Sequence, residues 1–189
     1  MARWQPDARG RLEQAALELY LESGFDQTTV AEIATRAGLT ERTFYRYFSD
    51  KREVLFSGAA MLQELLVASV SDAPAGLAPI DVVAHALDAA GQLLGTRPAW
   101  SRQRQEVIMA NPELQERELI KMAALAGAIA EGLRARGVGE PTASLTAESG
   151  IAVFKVAFGQ WVSGASATDL TDAMRDAFDV LREVTAGRG

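Results

Sequence analysis

Apolar residues return every three or four positions through most of this chain, the spacing of one buried face on an α-helix. Leu12, Ala15, Ala16 and Leu19 set the first such face, over Asp7 to Ser23, with Asp7 placed to cap it and Gly24 to end it. Val30, Ile33, Ala34 and Ala37 repeat the spacing in a shorter helix, and Thr29 with Glu32 forms a capping box at its start. Gly38 then breaks that helix, since a glycine can take positive φ and turn the chain sharply. Leu39 follows as an apolar anchor, and Thr40 suits the N-cap of a second helix in which Phe44 and Phe48 share a face. Phe25 is expected to fold back onto Ile33, Phe44 and Phe48, with Tyr20 able to join them. Three short helices closing one core make a marginally small domain.

The helical period continues downstream. Ser49-Asp50 caps a helix expected to run through Val54, Leu55, Leu62, Leu65 and Leu66 to about Ser71, roughly 20 residues and 30 Å long. The stretch from Ser71 to Pro79 is the one clear loop by its Pro and Gly content. Further helices are predicted from Pro79 to Leu94, Trp100 to Ala110, Glu113 to Arg136, Thr142 to Gly164, and Thr168 to about Ala186. Asn111 is the expected cap of the Glu113–Arg136 helix, with Leu114, Leu119, Met122, Leu125, Ala126 and Ile129 as its core face. The Thr142–Gly164 helix is apolar almost all round, which demands burial on several sides. The fold class is therefore all-α.

Composition narrows the chemistry. The chain has 189 residues, 48% of them hydrophobic and 23% charged, an ordinary globular mix. It has no cysteine and one histidine, His85, which removes thiolate and multi-histidine metal sites. No cofactor, metal or catalytic residue is expected, since the sequence lacks a phosphate-binding glycine loop, a nucleophile elbow and a cysteine nucleophile. Neither a signal peptide nor an uninterrupted apolar run of membrane-spanning length stands out, so a cytoplasmic location is expected. The net charge of −6 is unevenly spread. Residues 1–52 carry 8 Lys+Arg against 8 Asp+Glu, leaving 11 against 17 for residues 53–189. Local basic residues, not global charge, decide contact with phosphates.

The geometry of residues 30–48 gives that neutral N-terminal part a use. If Phe44 and Phe48 pack inward, Arg42, Thr43 and Arg46 fall on the other side of the helix. A helix-turn-helix presents such a face to a DNA major groove. Arg42 and Arg46 are the candidates for base contact, because arginine pairs with guanine through two hydrogen bonds. Thr40 and Thr43 can read bases or a thymine methyl, and Thr29 stands at a helix N-terminus that can receive a phosphate. Arg3, Arg9 and Arg11 can serve as a phosphate-contacting arm or belong to a solvated terminus.

The segments Thr28-Thr29-Val30, Ile33-Ala34, Ala37-Gly38-Leu39-Thr40, Thr43-Phe44-Tyr45-Arg46-Tyr47-Phe48 and Lys51-Arg52-Glu53-Val54-Leu55 resemble the DNA-binding region of the TetR family of bacterial repressors. The match runs without a gap over roughly the first 55 residues. The resemblance implies a DNA-binding domain over residues 1–52 and a regulatory and dimerisation domain over 53–189. It implies phosphate contacts from Tyr45, Tyr47 and Lys51, and a helix after Lys51 that links reader to sensor. It also implies a homodimer through the two C-terminal helices, a pseudo-palindromic operator, and release by a small hydrophobic effector. Residues 106–119 are similar to family members whose C-terminal domain takes acyl-CoA-like ligands, and an aromatic effector is equally open. Trp100, Arg104, Met109, Met122, Leu125, Phe154, Phe158 and Trp161 are the candidate pocket residues, each also able to serve as plain core, and Arg104 as half of an ion pair. The alternative is a C-terminal domain that only dimerises or docks a protein and senses nothing.

Overall fold

The computed structural model describes residues 7–165 and 169–187. Among them it holds nine α-helices and no strand: α1 (Ala8–Ser23), α2 (Val30–Arg36), α3 (Glu41–Tyr47), α4 (Ala59–Asp72), α5 (Pro79–Gly95), α6 (Pro98–Met109), α7 (Pro112–Ala135), α8 (Thr142–Ser163) and α9 (Leu170–Thr185). Arg3 lies outside the described residues. Two compact units divide the chain. The first runs to Ala59 and takes in Gln103–Glu116; the second holds Ala60–Arg102 and the chain from Arg117 onward.

In the first unit α1 packs on α2, and α2 on α3. Leu12, Ala15, Ala16, Leu19, Ile33, Ala34, Phe44 and Phe48 are all buried, as their spacing predicted, and Phe25 and Leu17 are buried too. Tyr20 joins them, its ring meeting that of Phe25 edge-on at 5.1 Å. Burial pushes the Tyr20 phenol far above its ordinary pKa, with the charge of Asp50 adding to the effect.

The single long helix expected after Lys51 is not there. Glu53–Phe56 is a 3-10 turn, Ser57 and Gly58 form a further turn, and α4 begins only at Ala59. The backbone carbonyls along this stretch are claimed by side chains from elsewhere in the unit. Tyr20 Oη donates to the Lys51 carbonyl at 2.6 Å, Arg104 Nε to that of Leu55 at 2.6 Å, and Arg9 Nη2 to that of Ser57. Ser57 Oγ also donates to the buried Glu13 carboxylate at 2.8 Å. Glu53–Asp72 has the length and apolar composition of a membrane-crossing segment. It is broken in the middle, and it lends Val54, Leu55 and Phe56 to one unit's interior and Leu62, Leu66 and Val70 to the other's.

In the second unit α5, α8 and α9 pack on one another. Glycines set the closeness. A Cβ on Gly91 of α5 would stand 2.8 Å from Thr171 Oγ1 and 3.1 Å from its Cα on α9. One on Gly150 of α8 would collide with Val83 of α5, and one on Gly132 of α7 would lie 2.8 Å from Val70 Cγ1 of α4. The α7 core face differs from expectation at one position: Leu119 is exposed, while Leu114, Leu125, Ala126, Ile129 and Leu133 are buried. Asn111 does not cap α7 with its side chain; its amide nitrogen donates back to the Val107 carbonyl at 2.6 Å and closes the end of α6.

Candidate nucleic-acid interface

Short-range chemistry builds the helix-turn-helix. Thr29 Oγ1 accepts the Glu32 N–H at 3.2 Å, and Glu32 Oε2 accepts the Thr29 N–H at 2.8 Å, so the predicted capping box is closed in both directions. The Thr29 N–H, and then its hydroxyl, hold the Glu32 carboxyl below the usual glutamate range. At the far end of α2, Gly38 takes φ +65°, where the left-handed backbone favours glycine. That turn lets the Leu39 N–H reach the Ala34 carbonyl at 2.8 Å. Thr40 then caps α3, its hydroxyl accepting the Thr43 N–H at 3.2 Å.

Helix α3 buries Phe44 and, just past its end, Phe48, with ring centroids 5.4 Å apart. Its other side carries Arg42, Tyr45, Arg46 and Tyr47, all exposed, with Thr43 half-buried and Thr40 exposed at the cap. Most cations of the unit are already engaged. Arg36 pairs with Glu22 and Glu18, Arg52 with Asp50 and Glu113, and Arg9 with Glu13. Arg46 lies over the Tyr47 ring at 4.9 Å and donates to its hydroxyl at 3.1 Å. Among the described residues Arg42 has neither ion-pair nor hydrogen-bond partner. A guanidinium presented bare on the outer face of a well-capped helix is ready to pair with a base edge.

Lys51, expected to contact a phosphate, has partners within the unit. Its ammonium donates to the carbonyls of Phe25 at 2.7 Å, Asp26 at 3.1 Å and Thr28 at 3.0 Å. The hydroxyl of Thr28, itself buried, donates to the carbonyls of Leu19 and Gly24. The Lys51 arrangement is not visible in the spacing of charged residues, because its acceptors are backbone atoms of a loop far away in sequence.

The structure separates the candidate effector-pocket residues. Leu125, Phe154 and Trp161 are buried in the core of the second unit, with Met122 and Phe158 half-buried against it. Phe158 links two rings of α8, stacked on Phe154 at 5.7 Å and tilted against Trp161 at 5.8 Å. Trp100 is in the same unit but outside that core, under the Arg97 guanidinium at 5.0 Å, and its buried indole Nε1 has no hydrogen-bond partner. Arg104 and Met109 belong to the first unit. The Arg104 guanidinium is committed to the Leu55 carbonyl and the Phe56 ring, and Met109 is exposed, so these two leave the apolar group.

Comparison with known proteins covers both units. Residues 13–57 match the bacterial regulatory proteins of the tetR family, and residues 77–186 match the MftR C-terminal domain. The HTH-type transcriptional regulator TcmR of Streptomyces glaucescens is 29% identical over 187 residues, covering 92% of this chain and 82% of that protein. The crystal structure of FadR from Thermus thermophilus, a TetR-family transcriptional repressor in complex with lauroyl-CoA, is 25% identical over 93% of each chain, with a TM-score of 0.56. A SmeT–triclosan complex shares the fold at 19% identity, with a TM-score of 0.67 over 92% of this chain and 88% of that one.

Proposed function

Because the chain belongs to the TetR family of bacterial regulatory proteins and is a DNA-binding transcriptional regulator, we propose that it is a repressor, binding a pseudo-palindromic operator as a homodimer and released by a small hydrophobic effector. The observation that carries the DNA-reading part is the bare Arg42 on the outward face of α3, flanked by Tyr45 and Tyr47 and set by two closed N-caps. Arg42 and Arg46 read base edges, Thr40 and Thr43 add contacts beside them, and Tyr45, Tyr47, Lys51 and Thr29 hold phosphates and set the register.

The dimer is supported by apolar side chains left outward on the two C-terminal helices: Leu145 and Val156 on α8, Val180 and Val184 on α9. Valines four apart on α9 share a face turned about 120° from that of the buried Met174 and Phe178. A two-fold pair of readers enters successive major grooves about 34–36 Å apart. An acyl chain or an aromatic effector is supported by the lauroyl-CoA and triclosan of the similar structures, and by the half-buried Met122 and Phe158 packed against the core of the second unit. Binding shifts the population between operator-competent and incompetent states.

The test is selection of the purified full-length protein on a random duplex library. Enrichment of an inverted repeat with half-sites one helical turn apart is the expected result. Recovery of no repeated half-site would refute the dimeric operator reading. The enriched duplex then serves to assay release by lauroyl-CoA, free fatty acid and triclosan.

A further inference from the structure

We propose that a charge pair across the two-fold axis selects a second copy of this chain as the partner: Lys155 on α8 of one protomer meets the carboxylates of the partner's Asp176 and Glu183 on α9. This rests on the reading of the chain as a homodimer through its two C-terminal helices, and adds the residues that choose the partner and fix the register.

The outward side of α8 is apolar and small. Leu145 and Val156 are exposed on it, with Ala152 and Gly159 beside Val156, and a Cβ at Gly159 would meet nothing within 4 Å. Within α8 the charged side chains are Glu148 and Lys155, seven residues apart. At about 100° per residue both fall at the edge of that side on which Gly159 lies. Among the described residues the Lys155 ammonium is exposed and has neither ion-pair nor hydrogen-bond partner.

Helix α9 has the complementary edge. Its arginines are spent inside the chain: Arg175 pairs with Asp88 of α5 at 3.0 Å and with Asp172 at 3.2 Å, and Arg182 with Asp81 of α5 at 2.7 Å and with Asp179 at 2.8 Å. Left over are Asp176 and Glu183, both exposed and without a side-chain partner among the described residues. They stand seven residues apart and within about 60° of the outward Val180, so they edge the apolar side of α9 as Lys155 edges that of α8.

The chain carries a net charge of −6, so two copies repel overall. Apolar contact between the helices does not by itself choose a register. Placing each Lys155 against the acidic edge of the partner's α9 turns repulsion into attraction there, and the two-fold repeats the pair. Charges at the rim of an interface act mainly on partner choice and register, with like charges brought together costing affinity.

The experiment is sedimentation of the full-length chain at fixed salt, as Lys155→Glu, as Asp176→Lys/Glu183→Lys, and as an equimolar mixture of the two, with circular dichroism confirming the folds. Each variant alone should dissociate with a constant raised about tenfold or more, because like charges then face each other. The mixture should recover the unaltered constant, since a mixed dimer has opposite charges at both places. Either variant as dimeric alone as the unaltered protein, or a mixture no tighter than its components, overturns the proposal. Should a variant not fold, the unaltered dimer decides. Screening of an attractive pair raises its dissociation constant with added salt, whereas screening of net repulsion lowers it. A rise is expected, and a fall overturns the proposal. An unaltered protein that sediments as a monomer would instead defeat the homodimer reading, before any variant is made.

Discussion

Two glycines on α7 offer a controlled measurement of how tightly the second unit is packed. A Cβ on Gly127 meets nothing within 4 Å, while one on Gly132 would stand 2.8 Å from Val70 Cγ1 and 3.4 Å from Val70 Cβ. Both sit inside the same helix, so replacing either by alanine gains about 0.5–1 kcal/mol from the less flexible unfolded chain. That gain is the whole effect at Gly127. At Gly132 the added methyl must displace a fully buried, β-branched valine with few staggered positions to move to. Overpacking of this kind costs roughly 1–3 kcal/mol. The two variants should therefore differ by about 1–3 kcal/mol, Gly127→Ala above the unaltered protein and Gly132→Ala at or below it. Thermal unfolding followed by circular dichroism reads this as about 2–4 °C per kcal/mol for a chain of this size. Protomer concentration is held fixed, because association shifts the midpoint. Equal stabilisation by both substitutions would refute the argument that the α4–α7 approach depends on the absence of a side chain at Gly132.

Arg42→Ala should cost about 1–3 kcal/mol of operator affinity and relax selection at one operator position, read by competition among singly substituted duplexes; unchanged preference refutes base reading by Arg42. The Glu32 carboxyl has a depressed pKa in the folded state, so the capping box contributes stability above the ordinary glutamate range and loses it as pH falls through the lower folded value. Glu32→Gln should flatten that acid limb of the urea midpoint against pH, and an unaltered limb would refute the assignment. Val156→Glu, a charge on the outward apolar side of α8, should shift the sedimentation profile from dimer towards monomer at fixed concentration; an unchanged profile removes α8 from the proposed interface.

The helix-turn-helix was legible because every device that builds it is local. Thr29 and Glu32 are three residues apart, Gly38 turns the chain between two caps, and Phe44 and Phe48 are one helical turn apart. Periodicity alone also found an α8 that is apolar almost all round, a helix that buries Ala147, Ile151, Val153, Phe154, Ala157 and Trp161 and leaves Val156 exposed. What it missed depends on atoms far away along the chain. The expected long helix stops at Ser57–Gly58 where Arg9, Glu13 and Arg104 claim atoms of that stretch. The carbonyls of Phe25, Asp26 and Thr28 that accept from Lys51 were not foreseen, because no residue type announces a backbone acceptor. Leu119 was read as core, yet five residues after the buried Leu114 it is rotated by about 140° on the helix. Arg104 stood among the pocket candidates as a charged group, but it lies in the first unit, where its guanidinium donates to the Leu55 carbonyl.

The assembly of the first unit from two separated pieces of chain has a consequence for its biosynthesis and its engineering. A ribosome that has released residues up to Ala59 has not yet made Arg104, which bonds the Leu55 carbonyl, nor Ile108 and Leu114, whose buried side chains belong to the same unit. The reader therefore matures only after the first part of the second unit has been synthesised, with non-local closure delayed to that moment. By the same logic, a chimaera that joins this reader to another sensor at residue 52 or 59 leaves part of the reader behind. A working graft has to carry Gln103–Glu116 with it, making the α6–α7 corner a component of the transplanted reader.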